Sequence, residues 1–191
     1  KIEKFCPKKV YRGFNKEDRK LMLNTNNTIL FKSQESGREK YQGISCWDIW
    51  LDEEHQEDVY DECYMRTTDC SGTLKLTFTP VEGLTWAYSK LFKRAKYYIS
   101  TTNVHGIPEE VGLVHKQEEI PLLKERKLVI THNTSEEADD DIVVFQMSIY
   151  DNKFLPDVEV WRAEKKYSTD PAQYNARVLG RFTKLTGRNV F

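Results

Sequence analysis

Two apolar runs that both end abruptly in polar residues constrain this fold more than any other feature. "IWLDEE" begins at Ile49 and passes from an apolar run into three carboxylates, and "LKLTFTP" begins at Leu74 and ends at Pro80. The first run, Cys46–Leu51, is mostly apolar on both alternating faces, which predicts a strand buried on both sides of a parallel sheet. The second run predicts another strand, and Pro80 ends it because proline has no N–H to donate.

The segment between these runs has the spacing of a helix. Its apolar residues recur on one side from Val59 to Thr67, and Ser71-Gly72 breaks the pattern. A helix-like stretch from Leu84 to Phe92 and a strand at Tyr97–Ile99 follow. Strand, helix, strand, helix and strand in this order predict right-handed βαβ units and a mostly parallel sheet flanked by helices, an α/β fold.

The two ends of the chain carry weaker patterns. Residues 1–20 contain Pro7 and Gly13 and predict a loop and a short helix. Further strands are predicted near Thr28–Ser33, Val111–His115, Leu128–Thr131 and Ile142–Ile149. Helices are predicted near Asp157–Tyr167 and near Pro171–Gly180, with Asp170 as the cap of the second.

Composition excludes several classes of protein. The 191 residues carry a formal net charge of −1, so no global field attracts nucleic acid or a membrane surface. The four cysteines form no CxxC pair and no zinc spacing, which indicates free thiols in a reducing cytoplasm. No apolar stretch reaches bilayer length and no signal peptide is present, so neither a membrane protein nor a secreted one is predicted.

The two strand ends together predict a nucleotide site. Asp52 and Glu53 would project from the carboxyl edge of the sheet, and two adjacent carboxylates need a cation or a water network between them. Mg²⁺ held by Asp52 through water, with Glu53 orienting the attacking water, is the arrangement of a Walker B motif. Thr79 on the neighbouring strand would reach the γ-phosphate. Side chains more than about 15 Å apart would exclude this arrangement.

At these residues the sequence resembles the large terminase subunit of tailed bacteriophages, the motor ATPase of DNA packaging. The resemblance lies in "ILFKSQESGREKYQGISCWDIWLDEE", "VYDECYMRTTDCSGTLKLTFTPVEGLTWAY" and "SIYDNKFLP…NARVLGRFTKLTGRNVF". It implies a P-loop NTPase of the ASCE, RecA-like class, incomplete here at its N-terminus. Asp52 then corresponds to the Walker B aspartate and Glu53 to the catalytic glutamate. Thr77, Thr79 and Pro80 correspond to the motif that couples hydrolysis to movement.

The same resemblance implies the partners of the chain. These are ATP and Mg²⁺ as cofactors, double-stranded DNA, the portal protein of the procapsid, the small terminase subunit and further copies in a ring, in the host cytoplasm and transiently on the procapsid. No membrane partner is implied. Residues 1–180 would be the C-terminal part of the ATPase domain, and residues 181–191 would begin a linker to a nuclease domain that this chain lacks.

The sequence departs from the family pattern at two points. It contains no GxxxxGK[ST] loop to hold the phosphates, so the isolated chain is expected not to hydrolyse ATP. Gln42 stands where many members have an arginine, so the trans-acting arginine finger is assigned to Arg38 instead. Arg66 is a second candidate, but an ion pair with Glu62, four residues away on one helix, explains it as well.

Two further readings remain open on the sequence alone. Another ASCE ATPase that acts on nucleic acid, such as a helicase, shares the Asp-Glu pair and the threonine at a strand end. A non-catalytic α/β interaction domain would carry the same acids as ordinary surface residues. Two basic clusters could contact DNA phosphates or could simply be solvated helix faces. They consist of Lys90, Lys93, Arg94 and Lys96, and of Arg177, Arg181, Lys184 and Arg188.

Overall fold

The computed structural model describes residues 6–101, 115–121 and 127–184. By its internal contacts the chain divides into two units. The first unit comprises Lys1–Ile49 and Asp58–Lys75, and the second comprises Trp50–Glu57 and Leu76–Phe191. Within the described ranges, no helix has both the length and the apolar composition needed to cross a membrane.

The first unit begins with a three-stranded antiparallel sheet. Its strands are β1 (Tyr11–Asn15), β2 (Lys20–Leu23) and β3 (Thr28–Leu30), in that order. Phe14 pairs with Leu21 across β1 and β2, and Leu21 is 4% exposed. The predicted loop agrees with the turn at residues 8–10, but the short helix predicted within residues 1–20 is not found in residues 6–20. The Pro7 and Gly13 signals gave no information on the strand pairing that buries Leu21.

A strand–helix–strand segment follows and runs from the first unit into the second. It consists of β4 (Asp48–Asp52), α1 (Glu57–Thr68) and β5 (Thr73–Thr77), and β4 pairs with β5. The Thr73 N–H donates to Trp47 O at 2.9 Å, and the Glu53 N–H donates to Thr77 O at 2.7 Å. Both strands therefore advance in the same direction, as the predicted βαβ unit requires.

Gly72 is needed at the junction between α1 and β5. A Cβ atom on this residue would lie 2.6 Å from Trp47 O and 2.7 Å from Cys46 O. Only glycine allows the chain to approach the start of β4 this closely. The predicted helix break at Ser71-Gly72 therefore also sets the contact from which β5 begins.

The second unit is built around a four-stranded mixed sheet. Its strands are β6 (Ala95–Thr101), β7 (His115–Pro121), β8 (Lys127–Asn133) and β9 (Asp139–Gln146), in the spatial order β7-β8-β6-β9. The β6–β9 pair is parallel, whereas β6–β8 and β7–β8 are antiparallel. The prediction of an α/β fold is confirmed, but that of a mostly parallel sheet is wrong for the described strands. Only β4–β5 and β6–β9 are parallel there, and the other pairs are antiparallel, since β1–β3 and β7–β8 follow one another too closely in sequence for a crossover helix. Residues 111–114 of one predicted strand lie outside the described ranges.

One face of this sheet carries the core of the second unit. Phe92, Ala95 and Tyr98 are buried there, and Phe182 packs against them. The Phe92 ring lies 4.9 Å from the Phe182 ring and 5.2 Å from the Tyr98 ring, centroid to centroid. Phe92 ends a π-helical segment, Tyr88–Phe92, within the stretch predicted to be helical.

Two helices complete the second unit. The bounds of α2 (Asp157–Tyr167) agree with the prediction, and α3 (Pro171–Arg177) begins at the predicted proline. The Gln173 N–H donates to the Asp170 carboxylate at 3.1 Å, so Asp170 caps α3 as predicted. Residues 185–191 of the predicted linker lie outside the described residues, and the division at residue 180 stays a prediction.

Candidate functional site

The ends of β4 and β5 bring together three of the predicted site residues. The Thr77 hydroxyl donates to Asp52 Oδ1 at 3.3 Å, and the Glu53 N–H donates to the Thr77 carbonyl at 2.7 Å. Asp52 and Glu53 are both exposed, so their carboxylates are accessible to a ligand. The arrangement follows from the parallel pairing, which places the carboxyl ends of both strands at one edge.

Glu53 has an unusual backbone conformation. Its φ angle is +73°, in the left-handed region that residues with a Cβ atom seldom adopt. The His55 ring lies with Nδ1 3.0 Å from Glu53 O, and because a carbonyl only accepts, Nδ1 carries the proton and donates. Left-handed residues of this kind are often found at functional sites, where the surrounding structure maintains them.

His55 is itself held in place. Its side chain is 7% exposed, and the Trp86 Nε1–H donates to its backbone carbonyl at 3.0 Å. The turn after β4 is thus fixed from Glu53 to His55 by contacts that the sequence did not reveal. No signal in the sequence singles out Trp86, because its contact with His55 joins residues 31 positions apart.

Trp50 is a second residue that the sequence analysis missed. Its Nε1–H donates to the Thr77 hydroxyl at 2.7 Å, so this hydroxyl accepts from Trp50 and donates to Asp52. Trp50 and Asp52 are two residues apart on β4 and share a face, a parity that could have suggested the contact. The expectation that β4 is buried on both faces is wrong, since Trp47 is 75% exposed and Trp50 is 67% exposed.

Thr79 lies beyond the end of β5 and is exposed, while the next residue, Pro80, is buried. The Val81 N–H donates to Thr79 O at 2.7 Å, which turns the chain away from the strand. Since Glu53 contacts Thr77 directly, two further residues of chain keep the Thr79 Cα within about 13 Å of the Glu53 Cα. The proximity required by the predicted site is therefore compatible with the backbone.

Arg38 and Arg66 share one carboxylate in the first unit. Arg38 Nε lies 3.3 Å from Glu62 Oε2, and Arg66 Nη2 lies 3.0 Å from Glu62 Oε1. Glu62 is 8% exposed, whereas the Arg38 side chain is 54% exposed beside a cavity of about 550 Å³. The Arg66–Glu62 pair proposed from the sequence is thus present. The arginine finger itself stays a prediction.

The first basic cluster is largely engaged by acids of the same unit. Lys90 contacts Glu57 at 3.2 Å, Arg94 contacts Asp139 at 3.2 Å, and Lys96 contacts Asp140 at 3.1 Å. These pairs reduce the charge available to DNA phosphates. In the second cluster, burial lowers the pKa of the Arg181 guanidinium, and Arg188 lies outside the described residues.

The chemistry of the edge suits a water-mediated cation. An exposed carboxylate, Asp52, with a hydroxyl beside it matches the oxygen ligands that Mg²⁺ prefers while it keeps most of its water. Among the described residues, no group of three or more His, Cys, Asp and Glu side chains is arranged as a direct metal site. The phosphates of a nucleotide would need donors from outside this chain, because its sequence has no phosphate-binding loop.

Comparison with known proteins agrees with the resemblance seen in the sequence. The family model described as phage terminase large subunit matches residues 9–181. This chain belongs to the phage terminase large subunit family. The terminase large subunit of Salmonella phage P22 is 35% identical to it over 63 residues, which are 33% of this chain and 13% of that protein. The aligned part is thus a small fraction of that terminase, and no solved structure matches the chain significantly.

Proposed function

We propose that this terminase chain supplies the Walker B and coupling residues of an ATPase that moves viral DNA into a procapsid. The observation that carries the proposal is the contact of Asp52 with Thr77, at the ends of two neighbouring parallel strands. A separate hydrogen bond from Glu53 N to Thr77 O holds the two strand ends together. The family match over residues 9–181 supports DNA packaging as the process that this site serves.

Asp52 and Glu53 would have different roles in hydrolysis. When bound, Mg²⁺ would neutralise charge on the phosphates, and Asp52 would hold it through water. Glu53 would orient the attacking water and draw its proton, a role that requires an accessible carboxylate. The exposure of Glu53 and its constrained backbone at φ +73° both support this assignment.

Thr77 and Thr79 would transmit the outcome of hydrolysis to the rest of the motor. The Thr77 hydroxyl accepts from Trp50 and donates to Asp52. A shift of Asp52 would therefore change both hydrogen bonds of this hydroxyl at once. Thr79 would respond to the γ-phosphate, and Pro80 would direct the strand end into the next segment. A hydroxyl suits this role because it can donate to one partner and accept from another.

Arg38 would act on the nucleotide of a neighbouring copy as the arginine finger. Its exposed guanidinium is held through Nε by the buried Glu62, which leaves the terminal nitrogens available for phosphate oxygens. Further copies in a ring, double-stranded DNA, the portal protein and the small terminase subunit would be the partners of the motor. It would work in the host cytoplasm and transiently on the procapsid.

The test uses the large subunit polypeptide with a phosphate-binding loop, since the isolated chain is expected to show no turnover. Glu53→Gln should keep ATP binding and lose hydrolysis by at least about 100-fold, because water activation is removed. Asp52→Asn should also weaken Mg²⁺-dependent binding. Asp69→Asn, an exposed acid bonded to Ser45 in the first unit, is the matched control and should keep full turnover. Equal activity in all variants, or turnover by the isolated chain, would refute the mechanism.

A second measurement separates packaging from the two alternatives. Thr79→Ala should impair DNA translocation more than nucleotide affinity, and Arg38→Ala should lose the turnover that depends on assembly. A helicase would separate strands of a duplex without a procapsid. An interaction domain would bind partners equally well with Glu53→Gln and Asp52→Asn.

A further inference from the structure

Two apolar faces of the second unit remain open to solvent. One lies on β9 and the residue that follows it, where Val143, Phe145 and Met147 alternate along the chain and are 43%, 70% and 68% exposed. The other runs along α2 and the turn before it, where Phe154, Val158 and Trp161 are 83%, 50% and 56% exposed. We call them the strand face and the helix face. Apolar side chains grouped in this way mark interaction surfaces.

The strand face ends in negative charge. Asp141 shares the parity of Val143 and Phe145, so it continues the same face towards the start of β9. It is exposed, as are Glu136 and Glu137 in the preceding loop. In the described part of the chain Asp141 forms no ion pair, whereas Asp139 and Asp140 are engaged by Arg94 and Lys96. This acid therefore retains its charge for a partner.

The helix face is bordered by positive charge. Val158, Trp161 and Lys165 follow at intervals of three and four residues, which places them on one side of α2, and Phe154 lies in the turn before this helix. The Lys165 ammonium lies 4.9 Å from the Trp161 ring centre, and the Lys153 ammonium lies 5.0 Å from that of Phe154. Across the described ranges neither lysine contacts a carboxylate. The helix face thus combines aromatic rings with unpaired cations.

The two faces have the same apolar chemistry and carry charges of opposite sign. Asp141 continues one face and Lys165 the other. Both faces are exposed within a single unit, so neither covers the other in the same copy.

We propose that the strand face of one copy binds the helix face of the next copy. The contact is head-to-tail, since the two surfaces differ, and such contacts form a ring when the rotation closes. Phe145 would pack against Phe154 and Trp161, and Asp141 would approach Lys165. The inference specifies surfaces for the ring in the proposed function, but assembly can be measured with no nucleotide or DNA present. A failure of this interface can therefore be distinguished from a failure of the proposed ATPase function.

A mixing experiment tests the head-to-tail geometry. Phe145→Thr removes the strand-face ring and keeps a good strand former, and Trp161→Gln removes the helix-face ring and keeps a good helix former. Analytical ultracentrifugation should show that each substitution weakens self-association of the chain by at least about 30-fold, as for a central aromatic contact. An equimolar mixture of the two variants should form a dimer and no larger assembly. The intact helix face of the Phe145→Thr copy can bind the intact strand face of the Trp161→Gln copy, and the two remaining faces are both altered.

Controls decide between this geometry and the alternatives. Trp47→Gln, at a tryptophan of the first unit that is even more exposed than Trp161, should leave assembly unchanged. Asp141→Lys and Lys165→Glu should each weaken association about threefold to tenfold, and the chain with both changes should recover it. A monomeric wild-type chain, or a mixture that forms no dimer, would overturn the proposal.

The strand face could instead be covered by another segment of the same polypeptide. In the full-length subunit, diluted until its copies dissociate, the thiol of the Phe145→Cys variant should react with a maleimide as fast as that of Trp47→Cys. Protection of the Phe145→Cys thiol in that monomer would overturn the proposal, since the face would then be internal. Circular dichroism and the unfolding temperature confirm that each variant is folded before association is measured.

Discussion

Two parallel strand pairs, β6–β9 and β4–β5, differ in what surrounds them. The β6–β9 pair lies on a buried aromatic cluster, in which Tyr98 is 2% exposed and Phe92 is 4% exposed. The Phe92 ring contacts the rings of Tyr98 and Phe182 at centroid distances near 5 Å. Such contacts stabilise a sheet through the area removed from water.

The β4–β5 pair presents an exposed row of polar contacts instead. Along β4 the exposed residues are Asp48, Trp50 and Asp52, and along β5 they are Thr73, Lys75 and Thr77. Lys75 contacts Asp48 at 2.6 Å, and Trp50 donates to Thr77 at 2.7 Å. Only Leu51 of β4 is buried. The β6–β9 pair is thus stabilised by burial, whereas the β4–β5 pair keeps its carboxylates exposed at a cost in burial.

We call β6–β9 the packed pair and β4–β5 the polar pair. The largest expected effect is the loss of stability when an aromatic ring is removed from the core of the packed pair. Phe92→Ala removes contacts with both Tyr98 and Phe182 and should lower the free energy of unfolding by about 3–5 kcal/mol. The matched change in the polar pair is Trp50→Phe, which keeps a ring in an exposed position and should cost less than about 1 kcal/mol. Urea unfolding of both variants measures the difference. Equal costs would mean that the two pairs are stabilised alike.

A glycine tests how tightly the chain packs after β9. A Cβ atom on Gly180 would lie 2.1 Å from Met147 O, at a φ angle of +63°. Gly180→Ala should therefore cost roughly 2–4 kcal/mol, from both the clash and the left-handed backbone. Gly43 has a φ angle of +77° and nothing within 4 Å, so Gly43→Ala should cost only about 1–2 kcal/mol. Thermal unfolding compares them, and a smaller cost at Gly180 would contradict the close approach.

Local signals predicted the helices of this chain well. The bounds of α2 agree with the sequence pattern, and Asp170 with Pro171 specified the start of α3 through a capping bond that needs only neighbouring residues. The strand order was less predictable, because pairing depends on residues far apart in sequence. The β1–β2 hairpin was missed for this reason. β9 was predicted as a strand, but its parallel pairing with β6 was not specified.

The candidate site shows the same division. The proximity of Asp52 to β5 followed from one assumption, that the two apolar runs are neighbouring parallel strands. The contacts of Trp50 with Thr77 and of His55 with Trp86 depend on side-chain direction, which one sequence does not contain. Asp151 gives a further example, since its Oδ2 accepts from both Ser148 N and Ser148 Oγ and the sequence analysis did not predict this contact.

Alkaline pH should affect the packed pair. Burial raises the pKa of the Tyr98 hydroxyl from 10.0 to about 12, and this hydroxyl donates to Phe92 O. Its contribution to stability is complete below pH 10 and is lost as the pH rises through 12, because the unfolded chain ionises first. Tyr98→Phe should cost about 1 kcal/mol at neutral pH and reduce the decline above pH 10. Urea unfolding from pH 8 to 12 checks this, and an unchanged decline would assign the alkaline loss to other groups.

The polar pair should lose little stability when its bridging hydroxyl is removed. Thr77→Val keeps the shape and the strand preference but ends the hydrogen bonds with Trp50 and Asp52, at a cost of about 1 kcal/mol or less. The amide-region NMR spectrum should show faster solvent exchange of the Trp50 indole N–H. Thr73→Val, which removes a hydroxyl bonded to Asp48, should leave that exchange unchanged. A slow indole proton in Thr77→Val would mean that the Trp50 contact is not formed in solution.

The smallest expected effect is the loss of stability of the polar pair at acid pH. The hydrogen bond from Lys75 lowers the pKa of the Asp48 carboxyl below its usual 3.8, with a smaller contribution from Thr73. A lowered pKa means that the stabilisation is present above pH 3.8 and is lost as the pH falls through the folded value. Both side chains are more than half exposed, so salt should screen most of the interaction. Lys75→Met should raise the NMR titration midpoint of Asp48 towards 3.8 at low salt. It should leave unchanged the loss of stability above pH 10 that depends on Tyr98. A midpoint that does not move would show that Lys75 does not hold Asp48 in solution.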